Sequence, residues 1–174
     1  MIEHIEINEF NQIYEIMEKS FPLTEFRPRE KQAELFKNKN YRVLGIKENE
    51  KIISIAAIWQ FENFTFIEHL ATVPEKRNCG LGAKILQSII DGSKNPVCLE
   101  VEPPEDDLTR RRVAFYERNG MFFNSYPYIQ PSISEGRAPI PLFIMTSKSQ
   151  IDENTFNKIK STLYTQVYGI KAID

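Results

Sequence analysis

The chain has 174 residues, 41% hydrophobic and 26% charged, a length that buries one core without disulfide or metal staples. Its 22 basic and 24 acidic side chains give a formal net charge of −2, which excludes the basic excess expected of a nucleic-acid binder. Two cysteines, Cys79 and Cys98, exclude a disulfide framework and predict a reduced, cytoplasmic setting, while no run reaches the roughly 18 apolar residues of a membrane span.

The acidic start, Met1 to Glu6, does not read as a secretory signal. Asn8 is a candidate cap for a helix to about Lys19, with Phe10, Ile13, Tyr14 and Met17 on one face, and Phe21-Pro22 breaks it. A second helix is expected over 28–38, opened by Pro28, with Ala33, Leu35 and Phe36 as its buried residues. Three strands then follow, over 41–47, 52–61 and 64–73. Their connections are too short for crossovers, so they form an antiparallel meander.

A helix over 80–91 carries Leu81, Ile85, Leu86, Ile89 and Ile90 at helical spacing, and Val97 to Val101 is a buried strand. The next helix spans 109–119 and stops at Gly120, after which Met121 to Asn124 returns to strand. Pro127, Pro131, Pro139 and Pro141 exclude a helix between Tyr126 and Pro141, which reads as an ordered loop. A last strand, 142–146, precedes a terminal helix over 152–168 with Phe156, Ile159, Leu163 and Val167 on one side. The pattern is a mixed α/β layer structure, read as a single domain over 1–174.

The stretch from Glu68 to Lys84 carries the chemistry. It reads as a strand, a loop containing Gly80 and Gly82, and a helix start, with Lys76, Arg77 and Lys84 nearby. Glycines let backbone N–H groups approach a ligand, and a helix N-terminus favours a phosphate or diphosphate. A nucleotide-triphosphate loop fails because no lysine follows Gly82 in the required frame. A dinucleotide fingerprint fails because Ile85 stands where its third glycine belongs. A plain glycine-containing loop remains open on the glycines alone.

Arg77-Asn78-Cys79-Gly80-Leu81-Gly82 resembles the R/Q-x-x-G-x-G/A signature of the GNAT acetyltransferases. Leu70-Ala71-Thr72 and Pro74 stand where that family has its Leu-Ala-Val and proline, and Phe115 to Phe122 is similar to its second signature. The resemblance covers 41–123 and implies the GNAT acyl-CoA N-acyltransferase fold, a mostly antiparallel twisted sheet with splayed central strands flanked by helices. The remainder, 124–174, reads as an acceptor-side loop and a C-terminal helix.

The resemblance further implies acetyl-CoA as co-substrate and an amine as acceptor. The backbones of Arg77, Asn78, Cys79, Gly80, Leu81, Gly82 and Ala83 would hold the diphosphate, and Leu70, Ala71 and Thr72 would pair with the pantetheine arm. Tyr116 takes the position of the family's leaving-group acid. Thr109 stands where relatives carry a coenzyme-contacting asparagine, and Arg112 and Phe115 on the same helix are further coenzyme-binding candidates, Arg110 to Arg112 meeting either a coenzyme phosphate or the acids Glu105, Asp106 and Asp107. For removing the acceptor's proton the candidates are Glu100 first, then Glu68, with Glu102 also weighed. Some relatives carry a catalytic glutamate where this chain has Phe66, and Glu68 lies two residues further on, on the same face by alternation. The same alternation puts His69 on the opposite face, as a packed histidine.

For Glu100 and Glu102 the competing expectation is a salt bridge to Arg110, Arg111 or Arg112. No His/Cys cluster has metal-ligand spacing. The acidic residues favour a cationic small-molecule or peptide amine, with no nucleic acid and no membrane as partner, and a homodimer is compatible with the terminal helix. The alternative is a catalytically silent acyl-CoA sensor of the same fold; a longer acyl group is a third reading.

Overall fold

The computed structural model describes residues 1–171, which form two compact units, one over Met1–Val97 and one from Cys98 onward, of mixed α/β class.

In the first unit, strands β1 (Ile2–His4), β2 (Tyr41–Glu48), β3 (Lys51–Gln60) and β4 (Thr65–Thr72) pair antiparallel in that order. The meander is the one predicted. Strand β1 is an addition, too short and too exposed at Glu3 and His4 to show an alternating pattern. Every position from Ser54 to Trp59 is buried, so β3 is covered on both faces, and helices α1 (Phe10–Ser20) and α3 (Leu81–Gly92) both pack on it. The α1 stripe is Phe10, Ile13, Tyr14, Ile16 and Met17; that of α3 is Ile85, Leu86 and Ile89. Gly45 on β2 admits Ile5, because a Cβ there would sit 2.8 Å from Ile5 Cγ1.

Asn8 does not cap α1. It lies in a 3-10 turn, Ile7–Glu9, and the helix starts after Glu9. Helix α2 is shorter than expected, Arg29–Glu34 followed by a 3-10 turn at Leu35–Lys37. Its buried side chain is Gln32, whereas Ala33, Leu35 and Phe36 are half-buried. The amide of Gln32 has polar partners to satisfy: it accepts from the Arg27 N–H at 3.2 Å and donates to the Tyr41 hydroxyl at 3.2 Å.

In the second unit, β5 (Val97–Val101) pairs with β7 (Ile140–Ser147), and β7 with β6 (Met121–Gln130), all antiparallel. The expected loop from Tyr126 to Pro141 is mostly strand, leaving only 131–139 as connection. The prolines misled the reading because both have positions that tolerate a missing N–H. Pro127 falls in a register shift between Asn124 and Tyr128, and Pro141 lies near the start of β7. Asn124 is buried and ties that irregularity down, donating to the Ile144 carbonyl and to Thr146 Oγ1 while accepting from the Ile151 N–H. Helix α4 (Asp107–Arg118) ends at Asn119 and Gly120, whose φ of +86° suits a residue without a side chain. Helix α5 (Glu153–Thr162) is capped by Asp152 and buries Phe156 and Ile159. It then widens into a π-turn, Leu163–Val167, where the Tyr168 N–H reaches the Leu163 carbonyl at 3.0 Å.

Candidate active site

The loop after β4 is built from a 3-10 turn at Pro74–Lys76, an extended Arg77, a left-handed Asn78 (φ +62°) and a left-handed Gly80 (φ +77°). Gly80 is the N-cap of α3, and no side chain caps that helix. The first intrahelical bond runs from the Lys84 N–H to the Gly80 carbonyl at 3.0 Å. The N–H groups of Leu81, Gly82 and Ala83 therefore point out of the helix start, at its positive end. Arg77 to Gly80 are exposed. Arg77 Nε donates to the Thr72 carbonyl at 3.2 Å, tying the loop to the strand end, and Lys76 pairs with Glu48 at 2.6 Å. The exposed Cys79 thiol donates to the Arg77 carbonyl at 3.6 Å.

Leu70, Ala71 and Thr72 pair on one side with Ala56, Ile55 and Ser54 of β3. Ser54 is fully buried; its hydroxyl donates to the Ala71 carbonyl at 3.1 Å and meets Thr72 Oγ1 at 2.9 Å. Those bonds fix the strand end that leads into the loop.

Glu68 sits in a dense polar cluster. Arg27 Nη1 donates to Oε1 at 2.7 Å and Trp59 Nε1 to Oε2 at 2.8 Å. Burial pushes its pKa up, but the Arg27 charge and the two donated bonds outweigh burial, and the carboxyl is held below its usual range. Nearby Tyr41 is pushed up by burial and by the Glu68 charge.

The alternation that separated His69 from Glu68 does not hold. Ala57 pairs with His69 and Ile58 with Ile67, so Glu68 is the extra residue of a β-bulge. Both side chains consequently reach the segment between α1 and α2. His69 Nε2 donates to the Glu25 carbonyl at 2.7 Å and its ring lies 4.9 Å from that of Phe21, while Glu68 meets Arg27. Burial lowers the His69 pKa, so the ring is neutral.

In the second unit Glu100 meets two tyrosines. Tyr128 donates to Oε1 at 2.6 Å, and the Tyr168 hydroxyl lies 2.8 Å from both carboxylate oxygens. Glu102 is the carboxylate that takes the salt bridge, to Arg112 at 3.2 Å. Arg110 is held by Asp107 and the Glu105 carbonyl, and Arg111 is exposed. Thr109 closes a capping box: its N–H donates to Asp106 Oδ1 at 2.8 Å and its hydroxyl accepts from the Asp106 N–H at 3.1 Å. Further along α4, Tyr116 is half-buried, with its ring edge-on to Phe115 at 5.2 Å. Sequence reasoning assigned no partner to Glu68 and overlooked Arg27 and Trp59. It also overlooked Tyr168; Tyr128 was noted only as part of an acceptor-side segment.

Among the described residues no group of three His, Cys, Asp or Glu could hold a metal ion, and no helix is long and apolar enough to cross a membrane.

A family model described as the acetyltransferase (GNAT) family matches residues 10–121. The chain is 25% identical over 162 residues to YjbC of Bacillus subtilis (strain 168), named as an acetyltransferase, covering 91% of this chain and 82% of that protein. A solved GNAT-family structure from Bacteroides thetaiotaomicron is 30% identical and superposes with a TM-score of 0.89, covering 98% of this chain and 99% of that one. The Escherichia coli ribosomal-protein-S18-alanine N-acetyltransferase shares the fold at a TM-score of 0.66 and 20% identity, over 88% of this chain and 97% of its own.

Proposed function

The chain belongs to the GNAT acetyltransferase family, and on that premise we propose that it moves the acetyl group of acetyl-CoA directly to an amine, in the cytoplasm. The observation that carries the reading is the loop at Gly80. Two left-handed residues and an uncapped helix start present successive amides beside Arg77, a geometry that suits a diphosphate. The residues present thus fit coenzyme A. Arg77 to Ala83 would hold its diphosphate and Leu70 to Thr72 its pantetheine arm; Arg112 and Phe115 of α4 are coenzyme candidates by the family resemblance alone. Thr109 would serve by starting that helix, since its hydroxyl is engaged with Asp106.

Of the carboxylates, Glu100 is the one we assign to the acceptor amine. Glu68 is buried against Arg27 and Trp59, and Glu102 pairs with Arg112. Glu100 takes a proton from the acceptor ammonium and passes it to water. The freed nitrogen lone pair attacks the thioester carbonyl, forming the C–N bond as the C–S bond breaks. Tyr116 gives its phenolic proton to the departing thiolate, and the second proton lost by nitrogen restores the phenol. The sum is amide, free thiol and one proton in solution. The acceptor is a small-molecule or peptide amine.

The test is amine-dependent thiol release from acetyl-CoA across a panel of polyamines, amino sugars and peptide amines. Thiol release with at least one acceptor, abolished by Tyr116→Phe with Glu100→Gln, is the expected result. Tight acetyl-CoA binding with no transfer to any amine would instead favour an acyl-CoA sensor.

A further inference from the structure

Glu100 lies on β5, a strand whose other residues, Val97, Cys98, Leu99 and Val101, are buried. A carboxylate on such a strand needs donors to remain charged. Two phenols supply them from distant parts of the chain. Tyr128 comes from β6, just past the register shift at Pro127, and is itself buried. Tyr168 comes from the residue that closes the π-turn after α5, 68 positions along the sequence. The extra residue in that helical turn and the extra residues in β6 each re-aim a side chain, a use to which π-turns and bulges are put at functional sites.

Several further groups of the second unit lie near this cluster. From the C-terminal turn come Tyr168 and also Tyr164, whose hydroxyl donates to the Ile129 carbonyl at 2.6 Å. Cys98 lies on the same strand, β7 sets Ile144 opposite, and Lys160 lies over the Tyr164 ring. Burial and the neighbouring Glu100 charge both push the Tyr128 phenol well above its usual range, so it donates throughout the physiological span.

We propose that Tyr128 and Tyr168 are positioning residues for the acceptor step: their phenols hold Glu100 as an oriented anion, fitted to draw a protonated amine and accept its proton. This rests on the proposed transferase reading and deepens it, because an anion flanked by aromatic rings selects ammonium over neutral or anionic acceptors. The C-terminal turn thereby becomes part of the acceptor machinery.

The experiment compares native protein with Tyr128→Phe, Tyr168→Phe and, as control, Tyr164→Phe. The Glu100 carboxyl is followed by carbon-13 NMR in protein labelled at glutamate side-chain carboxyls, its resonance identified by its loss in Glu100→Gln. Each phenylalanine variant at 128 or 168 is expected to raise the titration midpoint by about one pH unit, the size of one hydrogen bond to a charged group. The acid limb of kcat/KM rises with it, the KM for acetyl-CoA stays fixed, and Tyr164→Phe moves neither. Because Tyr168 is only half-buried, its variant decides the matter if loss of the buried Tyr128 hydroxyl prevents folding. Unchanged midpoints overturn the proposal, as does a shifted midpoint with a fixed acid limb. If native protein binds acetyl-CoA and transfers to no amine, the transferase reading falls, and the carboxyl titration alone decides the positioning role.

Discussion

Arg27 Nη1 and Glu68 Oε1 lie 2.7 Å apart with side chains only 7% and 3% exposed, joining the segment before α2 to the bulge of β4. A pair this deep is costly to break from one side, because the remaining charge stays buried without its counter-ion. Arg27→Met is expected to cost about 3–5 kcal/mol of folding stability. Adding Glu68→Gln to it should recover part of that loss. Urea unfolding of the two variants checks this, and a loss below about 1 kcal/mol for Arg27→Met, the value of an exposed pair, would contradict the burial.

Acid stability follows from the same cluster. His69 has a lowered pKa in the folded state, so as pH falls below its unfolded value of about 6.5 the unfolded chain binds a proton that the folded chain refuses. Glu68 also has a lowered folded pKa, so its stabilisation is present above the unfolded value of about 4.3 and is lost as pH falls through the folded one. Both signs agree: stability declines on acidification, first below about pH 6.5 and then again below about pH 4.3. A His69→Phe variant should lose the first decline and keep the second in thermal melts across pH.

Gly80 has φ +77°, and a Cβ there would meet nothing within 4 Å, so the conformation and not crowding demands glycine. Gly80→Ala should therefore cost about 1–2 kcal/mol or tilt the loop to escape that strain. A tilt would turn the Leu81 to Ala83 amides, and acetyl-CoA affinity should fall about tenfold, the effect of some 1.4 kcal/mol. Calorimetric titration reads that change directly.

Tyr116→Phe removes a proton donor and leaves the half-buried ring against Phe115. The expected outcome is a fall of about a hundredfold or more in kcat with little change in the KM for acetyl-CoA. A changed KM with constant kcat would assign the hydroxyl to binding instead.

The loop and its flanking elements were legible because local signals carry them: a strand pattern, two glycines, and a helical repeat within one short stretch from Glu68 to Ile90. The partners of the acids were not. Arg27 lies 41 positions from Glu68, and Tyr168 lies 68 from Glu100, separations that no local pattern encodes. Alternation failed at Glu68 for a definite reason, since a bulge adds a residue and resets which face the following side chains share. Prolines 127 and 141 were read as loop markers because sequence does not reveal which strand positions can spare an N–H.

The proposed transferase function depends on the amides at the start of α3 holding the diphosphate of acetyl-CoA. Nitrogen-15 amide NMR of the native chain, titrated with acetyl-CoA and separately with S-acetylpantetheine, tests it directly. Saturable shifts at Leu81, Gly82 and Ala83 with acetyl-CoA, absent with the fragment that lacks a diphosphate, are the predicted result. Loop amides that stay still under saturating acetyl-CoA, or that move equally with both compounds, would contradict it.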